Sequence, residues 1–488
     1  MTLVLKLGKE KSIYPQKIYK TSTKSLLITN KGLLFYKELI YSFGTEKFMP
    51  KQRLTIAEQL AKREYKQPSN FVWFLYALLA RSPFFGPKYH VKYKVIDDIN
   101  KYKGPAFIIW NHQSRRDYLF LKNLIAPHKF NMLAGYQEFF RKKFVWLFKV
   151  AQVIPKKNFT NDPKSIRAMD SIIKQGGTVA FAPEGTSSIF GHNQPIVPGT
   201  GRFLKYYHIP VYFMKLEGAY LTSHKVCIDD RIGKINATLS LLFTPEDLLK
   251  MTPEEIDNKI NESFHHDDYK WNKTARIKYK SKGRIMTNMQ DMLYKCPKCG
   301  EELQMDAHGN MIKCLKCGNG ATMDDYYDFH PFDDTCKLFE TPTDWLDWER
   351  VQVIHEIRDN PDFFLEEEVD IGKLPEYKPV KDNSKTSIPC GHGKIRFDHQ
   401  GIHFDGTKDN EPWHFDLSYS VVYSVIIEND LTQFALAVNE MVYDFIPKRH
   451  IVGKIILVTE EMHRLHFNTW KNFPWNDYMY KGTELEKK

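Results

Sequence analysis

The chain has 488 residues, of which 42% are hydrophobic and 26% charged, and its formal net charge at pH 7 is +11. This length predicts about two to four domains, and the hydrophobic content excludes a wholly disordered chain. Residues 1–103 hold 20 Lys and Arg against 7 Asp and Glu, a net charge of +13, so the excess positive charge is N-terminal. An anionic partner is therefore expected, either a membrane surface or a nucleic acid.

The basic N-terminal region, residues 1–103, contains one long apolar stretch. Ten consecutive apolar residues from Phe71 to Ala80 predict a helix at about 68–85. Ten residues are about half the length that crosses a bilayer, so we expect this helix to lie in a membrane interface; the alternative is a buried core helix. Residues 1–60 predict two short strands or a small basic lobe. No signal peptide is predicted, and the expected location is cytoplasmic, peripheral on the inner face of the membrane.

Residues 104–290 are predicted to form an α/β domain. Strands are predicted at 106–110, 129–134, 150–154, 178–182, 210–216 and 236–243, and helices near 114–125, 137–149, 163–174 and 200–207. Strand and helix alternate along this segment. That order is typical of a mostly parallel sheet flanked by helices.

Polar side chains follow the first of these strands directly. The apolar run 106–110 leads into Asn111-His112-Gln113-Ser114-Arg115-Arg116-Asp117, and Ser114 is a candidate N-cap of the next helix. Along one helix, five residues would separate the His112 and Asp117 side chains by about 140°. The two can meet only if His112 lies in the turn and Asp117 in the first helical turn. A carboxylate on one imidazole nitrogen leaves the other nitrogen to activate a hydroxyl nucleophile; the alternative is helix capping with a surface ion pair.

A second buried strand, at 178–182, ends in Glu184-Gly185-Thr186-Ser187-Ser188. With the Asn-His-x4-Asp block, this stretch resembles the glycerolipid acyltransferase family, and within it the lysophosphatidate acyltransferases. Two further blocks agree in order, one over residues 135–157 and one over 197–211. The resemblance covers residues 104–220 and implies an acyltransferase α/β domain.

The resemblance also implies residue roles. His112 would remove the proton from the acceptor hydroxyl, and Asp117 would orient the imidazole. The implied substrate-binding residues are Asn111, Ser114, Arg115, Arg116, Lys156, Lys157, Glu184, Gly185 and Thr186. Ser187 stands where the family has Arg, and Lys156 and Lys157 replace another Arg. A Lys supplies a point charge to a phosphate without the two-pronged geometry of Arg, so the acceptor is less firmly specified than the reaction.

Four cysteines form two closely spaced pairs. Cys296-Pro297-Lys298-Cys299-Gly300 and Cys314-Leu315-Lys316-Cys317-Gly318 are separated by 14 residues. This spacing predicts a zinc ribbon over residues 291–322 with a tetrahedral Zn²⁺ site; disulfides are the alternative, which a cytosolic location disfavours. The predicted ligands are Cys296, Cys299, Cys314 and Cys317. Four thiolates leave no position for water, so the predicted zinc is structural.

The C-terminal third is predicted to hold a helical connector, 323–385, and a β-rich domain, 386–488. The connector comprises an amphipathic helix at 343–360 and an acidic, Pro-containing stretch at 361–385. Strands are predicted at 393–397, 401–405, 412–415, 419–427, 433–438, 441–446 and 454–458, before a helix at 460–470. Antiparallel strands closed by one helix suggest a pleckstrin-homology or GRAM-like module.

The resemblance implies an acyltransferase that moves a fatty acyl group from an acyl thioester, acyl-CoA or acyl carrier protein, to the hydroxyl of lysophosphatidate. The product would be phosphatidate, in phospholipid biosynthesis, with the lysophospholipid, the acyl donor and an anionic membrane surface as partners and no nucleic acid. One alternative is a nucleic-acid-binding protein that uses the zinc ribbon and the basic N-terminus. Another is a lipid-binding adaptor that has lost catalysis, which Ser187 suggests.

Overall fold

A computed structural model describes residues 53–83, 87–223, 225–226, 229–382, 385–427 and 429–467. Of the strands or basic lobe predicted at residues 1–60, the part up to residue 52 lies outside the described residues. The end of the predicted C-terminal helix, 468–470, lies outside them as well.

Seven strands form the first sheet, in the spatial order β1-β7-β6-β2-β5-β3-β4. They are β1 (Val91–Val95), β2 (Phe107–Trp110), β3 (Asn131–Gly135), β4 (Ile154–Lys156), β5 (Val179–Phe181), β6 (Val211–Glu217) and β7 (Ile235–Phe243). Neighbouring strands are parallel except β6 and β7, which are antiparallel. The predicted mostly parallel sheet is confirmed.

Helices cover both faces of this sheet. They are α1 (Ile56–Ala61), α2 (Asn70–Arg81), α3 (Asp117–Ile125), α4 (Lys142–Val150), α5 (Pro163–Lys174), α6 (Thr200–Tyr207), α7 (Ala219–Thr222), α8 (Pro245–Lys250), α9 (Pro253–Phe264) and α10 (Asp268–Ala275). Strand β2 shows why two cores form: Ile108 and Trp110 pack with α2 and α3, whereas Phe107 and Ile109 pack with α5, α6 and α9. Successive strand residues point to opposite faces, so an uninterrupted apolar strand is buried on both.

The sheet begins earlier in the chain than the predicted boundary at residue 104. Strand β1 lies before it and pairs in parallel with β7, Val91 opposite Ile235. The sequence of β1 alternates Val and Tyr with Lys; Val91 is half-buried and the other four residues are exposed. Lysines on an outer strand commonly protect a sheet edge from pairing with another chain. Their number in β1 made this strand resemble a basic connector in the sequence.

The described part of the N-terminal apolar stretch is α2, shorter than the predicted 68–85. Trp73 and Ala80 are buried against the first sheet's domain, but Phe71, Phe74, Leu75 and Leu78 are exposed. One face of this helix is therefore buried and the other is apolar and exposed, and the placement of the exposed face in a membrane interface stays a prediction. No helix within the described ranges combines the length and apolar character needed to cross a bilayer.

The four cysteines belong to a module, called the cysteine module below, that is built on a second sheet of four antiparallel strands in the order β11-β10-β9-β8. These are β8 (Met305–His308), β9 (Met311–Cys314), β10 (Gly320–Met323) and β11 (Phe329–Pro331). Cys314 is the last residue of β9, and Cys296, Cys299 and Cys317 lie outside the strands. The module thus extends past the predicted end at residue 322. It is followed by α11 (Pro342–Asp359), which Thr341 caps through the backbone N–H of Asp344.

A third sheet of seven antiparallel strands forms the C-terminal domain, in the order β15-β14-β13-β12-β18-β17-β16. Its strands are β12 (Phe364–Lys373), β13 (Ile388–Asp398), β14 (Gly401–Lys408), β15 (Glu411–Leu417), β16 (Ile426–Ile427), β17 (Phe434–Val438) and β18 (Met441–Pro447), and α12 (Val452–Phe467) follows. Strand β12 lies in the stretch predicted as an acidic connector. Its exposed face carries Glu366, Glu368 and Asp370, which alternate with buried residues such as Val369 and Ile371. The high acidic content of the strand favoured a connector in the sequence analysis, although the alternation is that of a half-buried strand.

Two C-terminal strand predictions are corrected. Residues 454–458, predicted as a strand, lie inside α12. The prediction was wrong because Val452–Arg464 is buried on every side, so the apolar run shows no helical period in the sequence. The strand predicted at 419–427 is reduced to β16. There the side chains of Tyr419 and Ser424 bond to Gly401 and to Glu460 of α12, and most of the segment runs as turns.

Candidate active site

His112 and Asp117 form a direct hydrogen bond. His112 Nδ1 lies 2.8 Å from Asp117 Oδ2, which also accepts from the backbone N–H of Ser114 at 3.1 Å. Asp117 is buried at the first residue of α3, and burial raises the pKa of its carboxyl, against the opposing effect of His112. The His112 side chain keeps 27% of its surface exposed. The imidazole therefore contacts a buried carboxyl, packs against the ring of Trp110 and is partly exposed to solvent.

Helix α3 starts at Asp117 rather than at the predicted cap, Ser114. The Ser114 hydroxyl accepts from the backbone N–H of Arg116, inside the turn that precedes the helix. Residues 111–116 stay non-helical because the amide of Asn111 is bound to the neighbouring strand: it donates to Leu216 O and accepts from Leu216 N–H, both at 2.8 Å. Asn111 thus supports the loop that carries His112.

Glu184 connects the second predicted loop to the first. Its two carboxyl oxygens accept from the backbone N–H groups of His112, at 2.6 Å, and Gln194, at 2.5 Å. The backbone N–H of Ser188 donates to His112 O at 2.6 Å. Glu184 is buried, and this burial raises the pKa of its carboxyl to about 8 although both N–H donors act to lower it. The two strand-end loops therefore meet, as their positions in the sequence suggested.

Gly185 makes the tight turn between Glu184 and Thr186. Its φ is +75°, and a Cβ there would lie 3.0 Å from the ring of Phe159 and 3.1 Å from Val197. Any other residue would be strained in this conformation and would displace Phe159. The loop is consequently fixed in shape where it faces His112.

Lys225 reaches the same loop from the segment between α7 and β7. Its Nζ donates to Thr186 Oγ1 at 2.7 Å and to Ile427 O, in β16 of the C-terminal sheet, at 2.8 Å. Sequence reasoning missed this residue because no motif or spacing marks it. Its contacts connect the Glu-Gly-Thr loop to the C-terminal domain.

The two arginines of the first block have partners in the same segment. Arg115 Nη2 donates to Ser223 Oγ at 3.1 Å, and Arg116 Nη2 lies 3.6 Å from Asp230 Oδ2. Asp230 also accepts from Lys88 Nζ and from the hydroxyl of Tyr89, each at 2.8 Å. Both arginines therefore have fixed positions next to the turn that carries His112.

Lys156 and Lys157 have different surroundings. Lys156 Nζ donates to the backbone oxygens of Lys157 and Thr160, at 2.6 and 3.1 Å. Lys157 Nζ donates to the backbone oxygen of Glu440, in the turn between β17 and β18. These contacts direct Lys157 towards the C-terminal sheet.

The four predicted zinc ligands lie together. Their sulfur atoms are all within 4.8 Å of one another, with Cys296 Sγ 3.6 Å from Cys317 Sγ and Cys299 Sγ 3.8 Å from Cys314 Sγ. A tetrahedral zinc site with Zn–S bonds near 2.3 Å has sulfurs about 3.8 Å apart. The donor set and its spacing therefore fit one Zn²⁺ ion.

Residues 90–214 match the family model described as Acyltransferase, about a quarter of the chain. This segment contains β2, the His112 turn and the Glu-Gly-Thr loop, so the match includes the geometry described above.

The chain is also similar to a solved structure, the 1-acyl-sn-glycerophosphate (LPA) acyltransferase PlsC from Thermotoga maritima. The identity is 18% and the TM-score 0.32, over 47% of this chain and 86% of that chain. No curated protein matches the chain significantly.

Proposed function

We propose that this protein transfers a fatty acyl group from an acyl thioester, acyl-CoA or acyl carrier protein, to the hydroxyl of lysophosphatidate, and so produces phosphatidate for phospholipid biosynthesis. The observation that carries the proposal is the 2.8 Å contact between His112 Nδ1 and Asp117 Oδ2 inside a segment that matches the acyltransferase family model. The more specific acceptor, lysophosphatidate, is supported by the residues of the four sequence blocks.

The reaction needs one base and one acid, and a single imidazole supplies both. Asp117 accepts a hydrogen bond from Nδ1–H, which leaves the lone pair of Nε2 available. Nε2 takes the proton of the acceptor hydroxyl as that oxygen attacks the thioester carbonyl. When the C–S bond breaks, the imidazolium returns the proton to the leaving thiolate, so an ester and a free thiol are formed.

Binding of a phosphate-bearing acceptor is assigned to the turn around His112. Arg115 and Arg116 are held there by Ser223 and Asp230, within the same turn as the base. The loop Glu184-Gly185-Thr186 would position the acceptor on the opposite side, with its shape fixed by the bonds from Glu184 to the His112 and Gln194 N–H groups. A guanidinium binds phosphate through two parallel hydrogen bonds, which favours these arginines over Lys157.

The direct test replaces His112 with Ala in the purified full-length chain. Turnover of a labelled acyl thioester with lysophosphatidate should fall by about 10²–10⁴-fold, the usual contribution of a general base. His308→Ala is the matched control, because His308 is an exposed histidine of the cysteine module. Near-normal turnover by His112→Ala would refute the mechanism, and a wild-type chain inactive with every lysolipid would favour the adaptor alternative.

Two further parts of the proposal concern the surroundings of the enzyme. The four cysteines would hold a structural zinc ion, since their spacing fits the metal and leaves no position for a substrate. The exposed apolar side chains of α2, beside a basic N-terminal region, would bind the protein peripherally to the cytoplasmic face of an anionic membrane. The acceptor resides in such a membrane.

A further inference from the structure

Helix α4, which lies on the first sheet, has no buried residue. Its most exposed apolar side chain is Trp146, at 68%, and the neighbouring Val145 and Leu147 are exposed as well. Successive residues of a helix are about 100° apart, so these three side chains leave about 200° of the helix circumference apolar and exposed. An exposed apolar patch of this kind indicates contact with a membrane or another protein.

Two half-buried phenylalanines attach α4 to the rest of the molecule. Phe144 and Phe148 stack with their ring centroids 5.3 Å apart, and the ring of Phe148 packs against that of buried Phe139 at 4.8 Å. Trp146 is two residues from each phenylalanine, which places it on the opposite side of the helix. The side that carries Trp146 therefore takes no part in this attachment.

The segment around α4 is basic. Residues 139–161 contain six Lys and Arg and no Asp or Glu. Lys143 and Lys149 lie one turn before and one turn after Trp146, and neither forms an ion pair with a carboxylate of the described residues. Lysines beside an exposed Trp are typical of helices that lie in an anionic membrane interface, where the ring reaches the acyl boundary and the ammonium groups reach the phosphates.

Strand β3 shows that α4 lies on the same side of the first sheet as α2. Met132 packs against both the core beneath α2 and the core beneath α4, whereas Leu133 points to the core on the opposite side. The amide of Asn131 donates to the backbone oxygen of Lys66, before α2, at 2.9 Å and to that of Gln152, after α4, at 3.0 Å. These bonds hold the ends of both helices to one strand, so a single flat surface can contact the exposed side of each.

We propose that α4 is a second membrane contact, with anionic phospholipid headgroups as its partner. Val145, Trp146 and Leu147 would enter the boundary between headgroups and acyl chains, and Lys143 and Lys149 would lie against lipid phosphates. Together with α2, this contact would turn one defined side of the first sheet towards the bilayer. The proposal thus predicts an orientation on the membrane, and it does not depend on the reaction that the protein catalyses.

The test compares full-length variants by sedimentation with vesicles of phosphatidylglycerol or of phosphatidylcholine. Trp146→Ser removes the exposed ring, and Lys143→Gln/Lys149→Gln removes the two charges. We expect Trp146→Ser to weaken binding to phosphatidylglycerol about tenfold or more, because less apolar surface leaves water. The double lysine variant should weaken this binding about thirtyfold at low salt and change binding to phosphatidylcholine little, because the lysines are attracted by the lipid charge.

The matched controls lie on the opposite side of the first sheet. Tyr206→Ser removes a ring that is 74% exposed from α6, and Lys164→Gln/Arg167→Gln removes two exposed cations from α5; both helices pack against the core on that side. These controls should change vesicle binding by less than about twofold, since charges far from the bilayer are screened. Equal sedimentation of Trp146→Ser and Tyr206→Ser would overturn the inference.

Amide hydrogen exchange locates the contact directly. With phosphatidylglycerol vesicles present, exchange should slow in residues 142–150 as well as in α2, and stay unchanged in α6. Slower exchange in α2 without any change in 142–150 would overturn the inference. So would slower exchange in 142–150 with acyl carrier protein, an acidic protein, but not with vesicles, because the partner of α4 would then be a protein.

The inference and the proposed function fail separately. Hexanoyl lysophosphatidate below its micelle concentration needs no membrane, so Trp146→Ser should leave its acylation unchanged. Normal acyl transfer by a chain whose α4 does not contact vesicles contradicts this inference alone. Vesicle contact at α4 in a chain that transfers no acyl group contradicts the proposed function alone.

Discussion

Glu184 shows how one residue can define a site without taking part in the chemistry. Its carboxyl accepts hydrogen bonds from the backbone N–H groups of His112 and Gln194, and so fixes the loop that carries His112. The motif places Glu184 near His112, but only the structure shows that the carboxyl faces two backbone donors. An amide cannot replace it without turning its NH₂ group towards one of those donors.

The first prediction concerns Glu184→Gln. The ordinary pKa of the Glu184 carboxyl is 4.5, and in the folded state it is raised to about 8. Between these two pH values the carboxyl is ionised in the unfolded state and protonated in the folded state. The folded state then binds more protons, so this carboxyl makes the free energy of unfolding fall as pH rises through that window. Glutamine does not titrate. The stability difference between wild type and Glu184→Gln should therefore narrow from pH 5 to pH 8, measured by urea unfolding. A difference that stays constant over this range would mean that Glu184 is ionised in the folded state as well as in the unfolded state.

Lys225 is the residue that sequence reasoning missed and that contacts the site most directly. It bridges Thr186 Oγ1 and Ile427 O, which are 241 positions apart in the chain. His112, Asp117 and Glu184 could be predicted because each follows a recognisable strand within a motif. Lys225 could not, since its partners are set by the docking of a separate domain.

The second prediction is that Lys225→Ala raises the KM for the acceptor by about tenfold while kcat changes less, because a hydrogen bond from a charged group positions Thr186. Lys225→Arg should restore much of the affinity, since it keeps the charge and the donors. Steady-state kinetics with varied lysophosphatidate measures both. Equal loss in kcat and no rescue by Arg would assign Lys225 a purely structural role.

At the scale of elements, the sequence predicts the buried regular parts well. Helices α5 and α6 have the bounds predicted from apolar periodicity, and each central strand lies within a few residues of its prediction. The failures have two physical causes. An edge strand rich in Lys, β1, loses the apolar alternation, and a helix buried on all sides, α12, loses its polar face.

The third prediction concerns α2. Phe71 and Phe74 are 69% and 59% exposed, so Phe71→Ser/Phe74→Ser should leave the fold unchanged while weakening binding to phosphatidylglycerol vesicles about tenfold or more. Sedimentation with vesicles measures the binding, and phosphatidylcholine vesicles test the role of lipid charge. The control is Leu249→Ser in α8, which removes a side chain of similar exposure elsewhere. Equal sedimentation of both variants would exclude α2 as the membrane contact.

At the scale of the whole molecule, the cysteine module shares a core with the first domain, α11 and the C-terminal sheet. Cys296 and Cys314 belong to one core with Trp345 of α11 and Phe397 of the C-terminal sheet, and Phe190 of the first domain belongs to it too. Lys295 and Lys454 each contact both Glu302 and Glu356, and three of these four ion pairs join different parts: the cysteine module with α11, the module with α12, and α11 with α12. The motif predicts a metal site, but the shared core depends on contacts between distant segments and cannot be derived from local spacing.

The last prediction follows from that shared core. Cys299 is an exposed member of the cluster, so Cys299→Ser removes one sulfur donor without opening a cavity, and Cys336→Ser, outside the cluster, is the matched control. Metal analysis of the purified wild type should give one zinc per chain, and the Cys299→Ser chain should hold far less. Because the cluster lies in the core that joins the domains, zinc loss should lower the thermal midpoint of the C-terminal sheet as well as that of the module, and chelation of the wild type should do the same. A variant that keeps its zinc would contradict Cys299 as a ligand. A variant that loses its zinc while the C-terminal domain unfolds at an unchanged temperature would contradict a stabilising effect of the metal on that domain.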